Sequence, residues 1–249
     1  MNKDYFLSRR SCRNFKKGNL DYQLIKEIIS EATKAPTCGN MQLYSIVVTQ
    51  DEKNLKKLSA LHYNQPAAST APLILTICAD FNRFTKWCED NSAEAGFNNF
   101  HSFITAMTDA VILGQQIVTI AEMKGLATCY LGTVIYNAKE ISNLLSLPEL
   151  VVPVVSISIG KAEEVGEETF RLPIEAILHE ESYHNYTDKE IADLYKVHDE
   201  DIRNAKFITE NNKKNIAQVF AEIRYPKKTN EAISESFINL LTQKDFIQE

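Results

Sequence analysis

The stretch from about Phe100 to Lys124 constrains the fold most. Phe103, Ile104, Met107, Ala110, Val111, Leu113, Ile117, Ile120 and Ala121 set apolar side chains nearly all round a helix. A helix with no wide polar face is expected to be buried on more than one side, with Gly125 as its left-handed cap. Such a helix needs other layers to lie against, and the chain offers the strands for one. Leu43–Thr49 is rich in β-branched residues, Leu73–Ala79 is almost continuously apolar, and Val152–Ile159 is a further apolar run closed by Gly160. Ala127–Leu131 reads as a fourth strand, broken by Gly132-Thr133. Helices are predicted over Asp4–Ser8, over Asp21–Lys34 with Asp21 as N-cap and Pro36 as stop, over Asp51–Leu61, and over Ala138–Leu147 before Pro148. Their unequal lengths lack βαβ regularity, so the fold class is α+β. The glycine-rich dinucleotide fingerprint is absent, so any nucleotide cofactor is held some other way.

After Gly166 the texture changes. Residues 180–232 are charged and poor in aliphatics, with late helices plausible over Asn215–Arg224 and Asn230–Thr242. This tail reads as too hydrophilic for a core of its own. The expectation is one domain over residues 1–249, with about 185–249 an arm packed on the core or on a partner subunit. A net charge of −6 repels a phosphate backbone and argues against nucleic-acid binding. No unbroken apolar run approaches the roughly 18 residues of a membrane span, and the opening residues lack a secretory pattern. The five cysteines are odd in number and include no CxxC pair, which reads as reduced thiols and a cytoplasmic address.

Two short segments carry the chemistry. Arg9-Arg10-Ser11-Cys12-Arg13 packs three guanidinium groups and a hydroxyl into five residues. Standing alone it would more often be a solvated helix end. The second, Ala35 to Gln42, is a small-residue turn that includes Thr37, Cys38, Gly39, Asn40 and Gln42. Guanidinium forks match phosphate geometry, and a small-residue turn lets backbone N–H groups approach a ligand. Amides at Asn40, Gln42 and Gln65 both donate and accept, which suits the edge of a flavin pyrimidine ring. Together with Arg171-Leu172-Pro173, these residues point to a phosphorylated, planar cofactor such as FMN.

Other groups are weaker candidates. His179 and His184 flank Glu180 and Glu181 without zinc spacing and read as surface residues, so no metal is expected. Cys38 has no evident histidine base. Asp80 and Glu89-Asp90 read as helix-surface charge. Lys213-Lys214 and Arg203 could meet the 2′-phosphate of NADPH, although a charged tail is more often merely solvated.

In order and spacing these segments resemble the flavin-dependent nitroreductase family, closest to its oxygen-insensitive NADPH nitroreductase and NADPH–flavin oxidoreductase subgroup. The likeness runs over roughly residues 5–185. It includes Gln65, then Cys78-Ala79-Asp80-Phe81, Asp109-Ala110, Gln115-Gln116, Gly125-Leu126-Ala127, Leu147-Pro148, Arg171-Leu172-Pro173 and His179-Glu180-Glu181-Ser182-Tyr183. The family's Tyr-Ile-Gly-Gly turn is here Tyr130-Leu131-Gly132-Thr133, and Thr169 stands where many relatives have lysine.

The resemblance implies a central, mostly antiparallel sheet flanked by helices, and a homodimer with FMN between subunits. It implies that Arg9, Arg10, Ser11 and Arg13 hold the flavin, with Arg171 at the phosphate and Gln65 at the pyrimidine. Tyr130, Leu131, Gly132 and Thr133 would pass along the ring system with backbone N–H groups, and Thr37 to Gln42 would arrive from the partner. No side-chain acid or base is implied; Arg13 would offset negative charge on the reduced flavin. NADPH or NADH would be co-substrate, and a small electron-poor acceptor such as a nitroaromatic or quinone the other. A flavin reductase supplying reduced FMN, and a non-catalytic FMN binder, are the rival readings.

Overall fold

In the computed structural model, which describes residues 3–248, the apolar runs become one antiparallel sheet. Strands β1 (Tyr44–Thr49), β2 (Leu73–Asp80), β3 (Ala127–Tyr130) and β4 (Val151–Gly160) lie in the order β1-β2-β4-β3. The two most apolar runs are the central strands, and every residue of both is buried. Ile77 pairs with Val155 and Cys78 with Pro153, so Val154 is an extra residue between them. Pro153 has no N–H to give the ladder, and the bulge accommodates it.

Seven helices accompany the sheet: α1 (Lys3–Ser8), α2 (Tyr22–Ala32), α3 (Glu52–Leu61), α4 (Pro66–Ser69), α5 (Asn82–Asp90), α6 (Phe100–Met123) and α7 (Ala138–Leu144). Side-chain caps start three of them. Asp21 accepts from the Gln23 N–H, Asp51 from Asn54 and Asn99 from Ser102, each meeting a donor the helix itself cannot. Helix α7 stops three residues short of the expected Leu147, because Ser146 takes a left-handed φ of 53°. Helix α5 escaped the sequence reading. It opens beside a Phe81–Phe84–Phe97 ring cluster rather than on an aliphatic stripe.

Helix α6 lays Phe103, Ala106, Ala110, Leu113, Ile117 and Ala121 into the core. It packs tightly on the sheet at Gly114, where a Cβ would stand 3.1 Å from the Tyr130 hydroxyl and 3.2 Å from Val155. On the other side Ile104, Val111 and Ile112 are exposed, so burial all round is not reached within one chain. By length and mean hydropathy α6 could cross a membrane. A search for unbroken apolar runs misses this, because Asp109, Gln115 and Gln116 interrupt the pattern.

The chain divides into two compact units, the first running to Glu167 and resuming at Ile233, the second being Glu168–Ala232. The second holds α8 (Asp188–Asp199), α9 (Ile202–Glu210) and α10 (Ile216–Gln218), which continues as a π-helical stretch over Val219–Arg224. Helix α11 (Lys227–Gln243) begins in the second unit and ends in the first. Charge hid α8 and α9 from the sequence reading, although Thr187 and Glu190 form a reciprocal capping box at the start of α8. The second unit buries the aliphatics Ile216 and Val219 and adds ring contacts around them. Phe170 stacks on His198, Phe220 on Tyr225, and the Arg224 guanidinium lies 4.6 Å from the centre of Phe207.

The end of the chain belongs to the main core. Leu240, Leu241 and Phe246 are buried there, and the Phe246 and Phe103 rings lie 5.5 Å apart. The Leu150 N–H donates to the Lys244 carbonyl at 3.0 Å. Replacing Phe246 by alanine should therefore cost about 3–5 kcal/mol in urea unfolding; a loosely attached tail would lose under about 0.5 kcal/mol.

Candidate functional site

The arginine segment runs extended beside β3. The Cys12 N–H donates to the Thr128 carbonyl (2.9 Å), Lys16 to Lys161 (2.9 Å), and Glu163 to Asn14 (3.0 Å). Phe15 bridges Ala162, and its N–H donates to the Thr70 hydroxyl at 3.0 Å. Two glycines permit this fit. A Cβ on Gly160 would stand 2.7 Å from the Phe15 ring, and one on Gly166 would stand 2.3 Å from the Ser11 carbonyl oxygen. Cys12 and Phe15 are buried while Arg13 between them is exposed.

The guanidinium groups are held differently. Arg9 Nε lies 3.4 Å from Glu122 Oε2 at the end of α6. The same carboxylate accepts from the Tyr5 hydroxyl (2.8 Å) and the Thr128 hydroxyl (2.5 Å). Burial, with Glu122 alongside, pushes the Tyr5 phenol up to about 12. Arg10 folds back, donating to the Arg9 carbonyl at 3.0 Å and the Leu7 carbonyl at 3.2 Å.

At the far end of β3, the Leu131 N–H is spent on the Ser156 carbonyl (2.9 Å), so the Tyr130–Thr133 stretch cannot offer that group to a ligand. Gly132 and Thr133 open a single 3₁₀ turn, whose first N–H groups have no partner within the turn. Burial raises the Tyr130 phenol to about 12.

A tight turn between α3 and α4 faces this point. His62 caps α3, Tyr63 and Asn64 follow with φ of 57° and 49°, and Gln65 precedes Pro66 at the start of α4. Left-handed backbone at two residues other than glycine is uncommon and strained. Asn137 holds the turn by donating to the Leu61 carbonyl at 2.6 Å. His62 Nδ1 lies 2.7 Å from Thr133 Oγ1, and Gln65 Nε2 donates to that oxygen at 3.1 Å. The imidazole is fully buried, its Nε2 lacks a partner, and burial lowers its pKa to about 4.

The Thr37–Gln42 turn is anchored elsewhere. Gly39, Asn40 and Gln42 all have φ of 55°. Asp109, buried on α6, accepts from the Cys38 N–H (2.9 Å) and the Leu43 N–H (3.2 Å). Arg83 donates to the Gln42 carbonyl and, at 3.2 Å, to that of Tyr44. Asp80 is not surface charge: it is buried, accepts from Ser45 and accepts from the Arg83 N–H (3.2 Å) in the first turn of α5. A polar residue ending a buried strand was the signal for that role. Asp109 and Glu122 are thirteen positions apart on one helix, about 20 Å at 1.5 Å per residue.

The structure thus gathers Arg9, Arg10, Ser11, Arg13, Gln65 and Tyr130–Thr133 around β3 and holds Thr37–Gln42 apart from them. Arg171 lies in the second unit, bonded to the Thr169 hydroxyl at 2.6 Å and the Phe170 carbonyl at 2.9 Å. In that unit Arg203 grips Asp201 and the Glu168 carbonyl, and Lys213 pairs with Glu222 at 2.7 Å, so two of the suggested NADPH contacts have internal partners. Tyr186 donates its hydroxyl to the Ala176 carbonyl and accepts from His179 Nε2–H, whose Nδ1 accepts from the His184 N–H, and His184 faces Glu190. A cavity of about 740 Å³ between α8 and α10, lined by Ile191, Tyr195, His198 and Phe220, includes no candidate residue. Asp109, Glu122, Arg83 and His62 act on the candidate residues from behind and carried no motif that marked them as anchors.

Sheet order, the arginine segment on β3 and the turn pinned to α6 define a class. The chain belongs to the nitroreductase family, whose model matches residues 7–161. Among curated relatives, the FMN reductase [NAD(P)H] of Bacillus subtilis is 31% identical over 225 residues, covering 87% of this chain and 90% of that protein. The crystal structure of a provisionally named oxidoreductase from Bacteroides fragilis superposes with a TM-score of 0.96 at 41% identity, over 98% of this chain and 100% of that one. NfrA2 of B. megaterium superposes at 0.85 with 29% identity over the whole of both chains.

Two outcomes follow from these anchors. Asp109→Ala orphans two backbone donors and should cost about 1.5–3 kcal/mol, with faster amide exchange at Cys38 and Leu43; unchanged exchange would mean another group holds the turn. His62 gives a pH effect. Its folded pKa lies below the ordinary 6.5, so the unfolded chain takes up a proton that the folded chain refuses. Its contribution is full above pH 6.5 and is lost as pH falls toward about 4, by about 3 kcal/mol. Urea unfolding at a series of pH values should show that slope in the wild type and a shallower one in His62→Asn.

Proposed function

We propose that this chain is an FMN-dependent NAD(P)H oxidoreductase. It works as a homodimer with flavin at the subunit seam and reduces small electron-poor acceptors such as nitroaromatics or quinones. The observation that carries this is the assembly around β3. Three guanidinium-bearing residues and a serine sit on one extended segment, beside a tethered amide and the first N–H groups of a 3₁₀ turn. That donor set fits a phosphate-tailed ring system with alternating donors and acceptors along one edge.

Bound flavin would supply the redox chemistry, taking two electrons from NAD(P)H and giving them to the acceptor. The protein's residues bind and orient it. Arg9, kept in place by Glu122, Arg10, Ser11 and Arg13 would hold it from one subunit, with Arg171 at the phosphate. Gln65 would meet the pyrimidine, and Gly132 and Thr133 would offer N–H groups beside the ring. Arg13, exposed to solvent, would offset the negative charge that arises on reduction through preorganised electrostatics. Thr37, Cys38, Gly39, Asn40 and Gln42 would come from the partner subunit. Their anchoring about 20 Å along α6 from Glu122, and the exposed Ile104, Val111 and Ile112 stripe, support that arrangement. Cys12, Cys38, Cys78, Cys88 and Cys129 are all free thiols, in keeping with a cytoplasmic setting.

A second reading, in which reduced FMN is itself the product, is favoured by the name of the B. subtilis relative. Anaerobic mixing of the FMN-loaded protein with NADPH or NADH should bleach the flavin band rapidly. Persistent colour would mean a binder without turnover, and a protein that gains no visible band from excess FMN would overturn the proposal. Arg13→Ala should weaken FMN retention about ten- to hundredfold and slow the bleaching; unchanged values would remove Arg13 from the site.

A further inference from the structure

The site around β3 contains a group that the flavin reading leaves unexplained. His62 is fully buried, yet one of its ring nitrogens meets nothing among the described residues. A buried polar atom without a partner is costly, so the other nitrogen must have a use. It lies 2.7 Å from the Thr133 hydroxyl. That hydroxyl also receives the Gln65 amide at 3.1 Å.

The direction of this chain follows from counting protons. Gln65 Nε2 is a donor, so Thr133 Oγ1 accepts there. The threonine has one proton of its own, and His62 Nδ1, 2.7 Å away, accepts it if the imidazole carries its proton on Nε2. That tautomer places the partnerless nitrogen on the proton-bearing side. With its nitrogen end committed to Thr133, Gln65 has its carbonyl oxygen left as an acceptor.

We propose that His62 is a positioning residue: through the Thr133 hydroxyl it fixes the orientation of the Gln65 amide, so that the site presents an acceptor to a ring N–H of its ligand. This rests on the FMN reading above, where that N–H is N3–H of the pyrimidine edge. The local backbone is built for the purpose. Two strained left-handed residues, Tyr63 and Asn64, return the chain so that His62 and Gln65 meet the same hydroxyl.

The test is a titration of the full-length protein with FMN and with N3-methyl FMN, followed by flavin fluorescence. Wild type should bind FMN at least about tenfold more tightly than the methylated analogue. His62→Leu and Thr133→Val should bind FMN about tenfold more weakly and lose the preference, because an untethered amide can turn or move aside. His62→Asn, which restores an acceptor near the place of Nδ1, should keep the preference. The double variant H62L/T133V should be no weaker than either single one. A His62→Leu protein that keeps the wild-type preference overturns the role of His62. If that variant does not fold, Thr133→Val decides in the same way. A wild type that binds neither flavin overturns the cofactor reading and this inference with it; one that binds both equally overturns the inference alone.

Discussion

A buried carboxylate accepting two backbone N–H groups is the interaction on which the candidate site depends. Asp109 faces away from water in the middle of α6, and the Cys38 and Leu43 N–H groups satisfy it. Without it, a turn with three left-handed residues would have little to hold it against the strain of its own backbone. With it, the turn is fixed to the most deeply packed helix in the first unit. Glu122 does the same service at the other end of that helix, gathering Tyr5, Arg9 and Thr128 on one side chain. Each α6 thus anchors both an arginine segment and a turn, which the homodimer reading assigns to two different flavin sites.

The sheet makes that arrangement dependable. Strands β2 and β4 are buried along their whole length, and α6 settles onto them where Gly114 removes the side chain that would hold it off. The arginine segment then has only one way to lie. Cys12 and Phe15 enter the core, Gly160 and Gly166 leave room for the segment, Arg13 is left exposed, and Arg9 and Arg10 are half-buried. Flavin chemistry of the kind proposed needs little from a protein beyond such placement.

Much of this was legible in the residues. Strand positions followed from β-branched and continuous apolar runs, and the Asp21 cap and the Pro36 stop marked α2. The arginine pentad and the Thr37–Gln42 turn announced themselves by composition. What stayed hidden was whatever depends on tertiary partners. Asp80 looks like surface charge until Ser45 and Arg83 are seen around it, and His62 is an ordinary polar residue until burial strips its water. Helices α8 and α9 were obscured because neither buries a residue fully, and their few apolar side chains are interleaved with charged ones. A hydropathy pattern registers such half-exposed helices poorly.

The two carboxylates on α6 also set a rule about length. They stand thirteen positions apart, and each grips a different loop. Adding or deleting one residue between them would rotate one anchor by about 100° relative to the other and shift it about 1.5 Å along the axis. Substitutions on the outer face can accumulate without disturbing either grip, whereas any insertion there would detach a loop. The helix between Asp109 and Glu122 is therefore a ruler, fixed in residue count whatever its outward side meets.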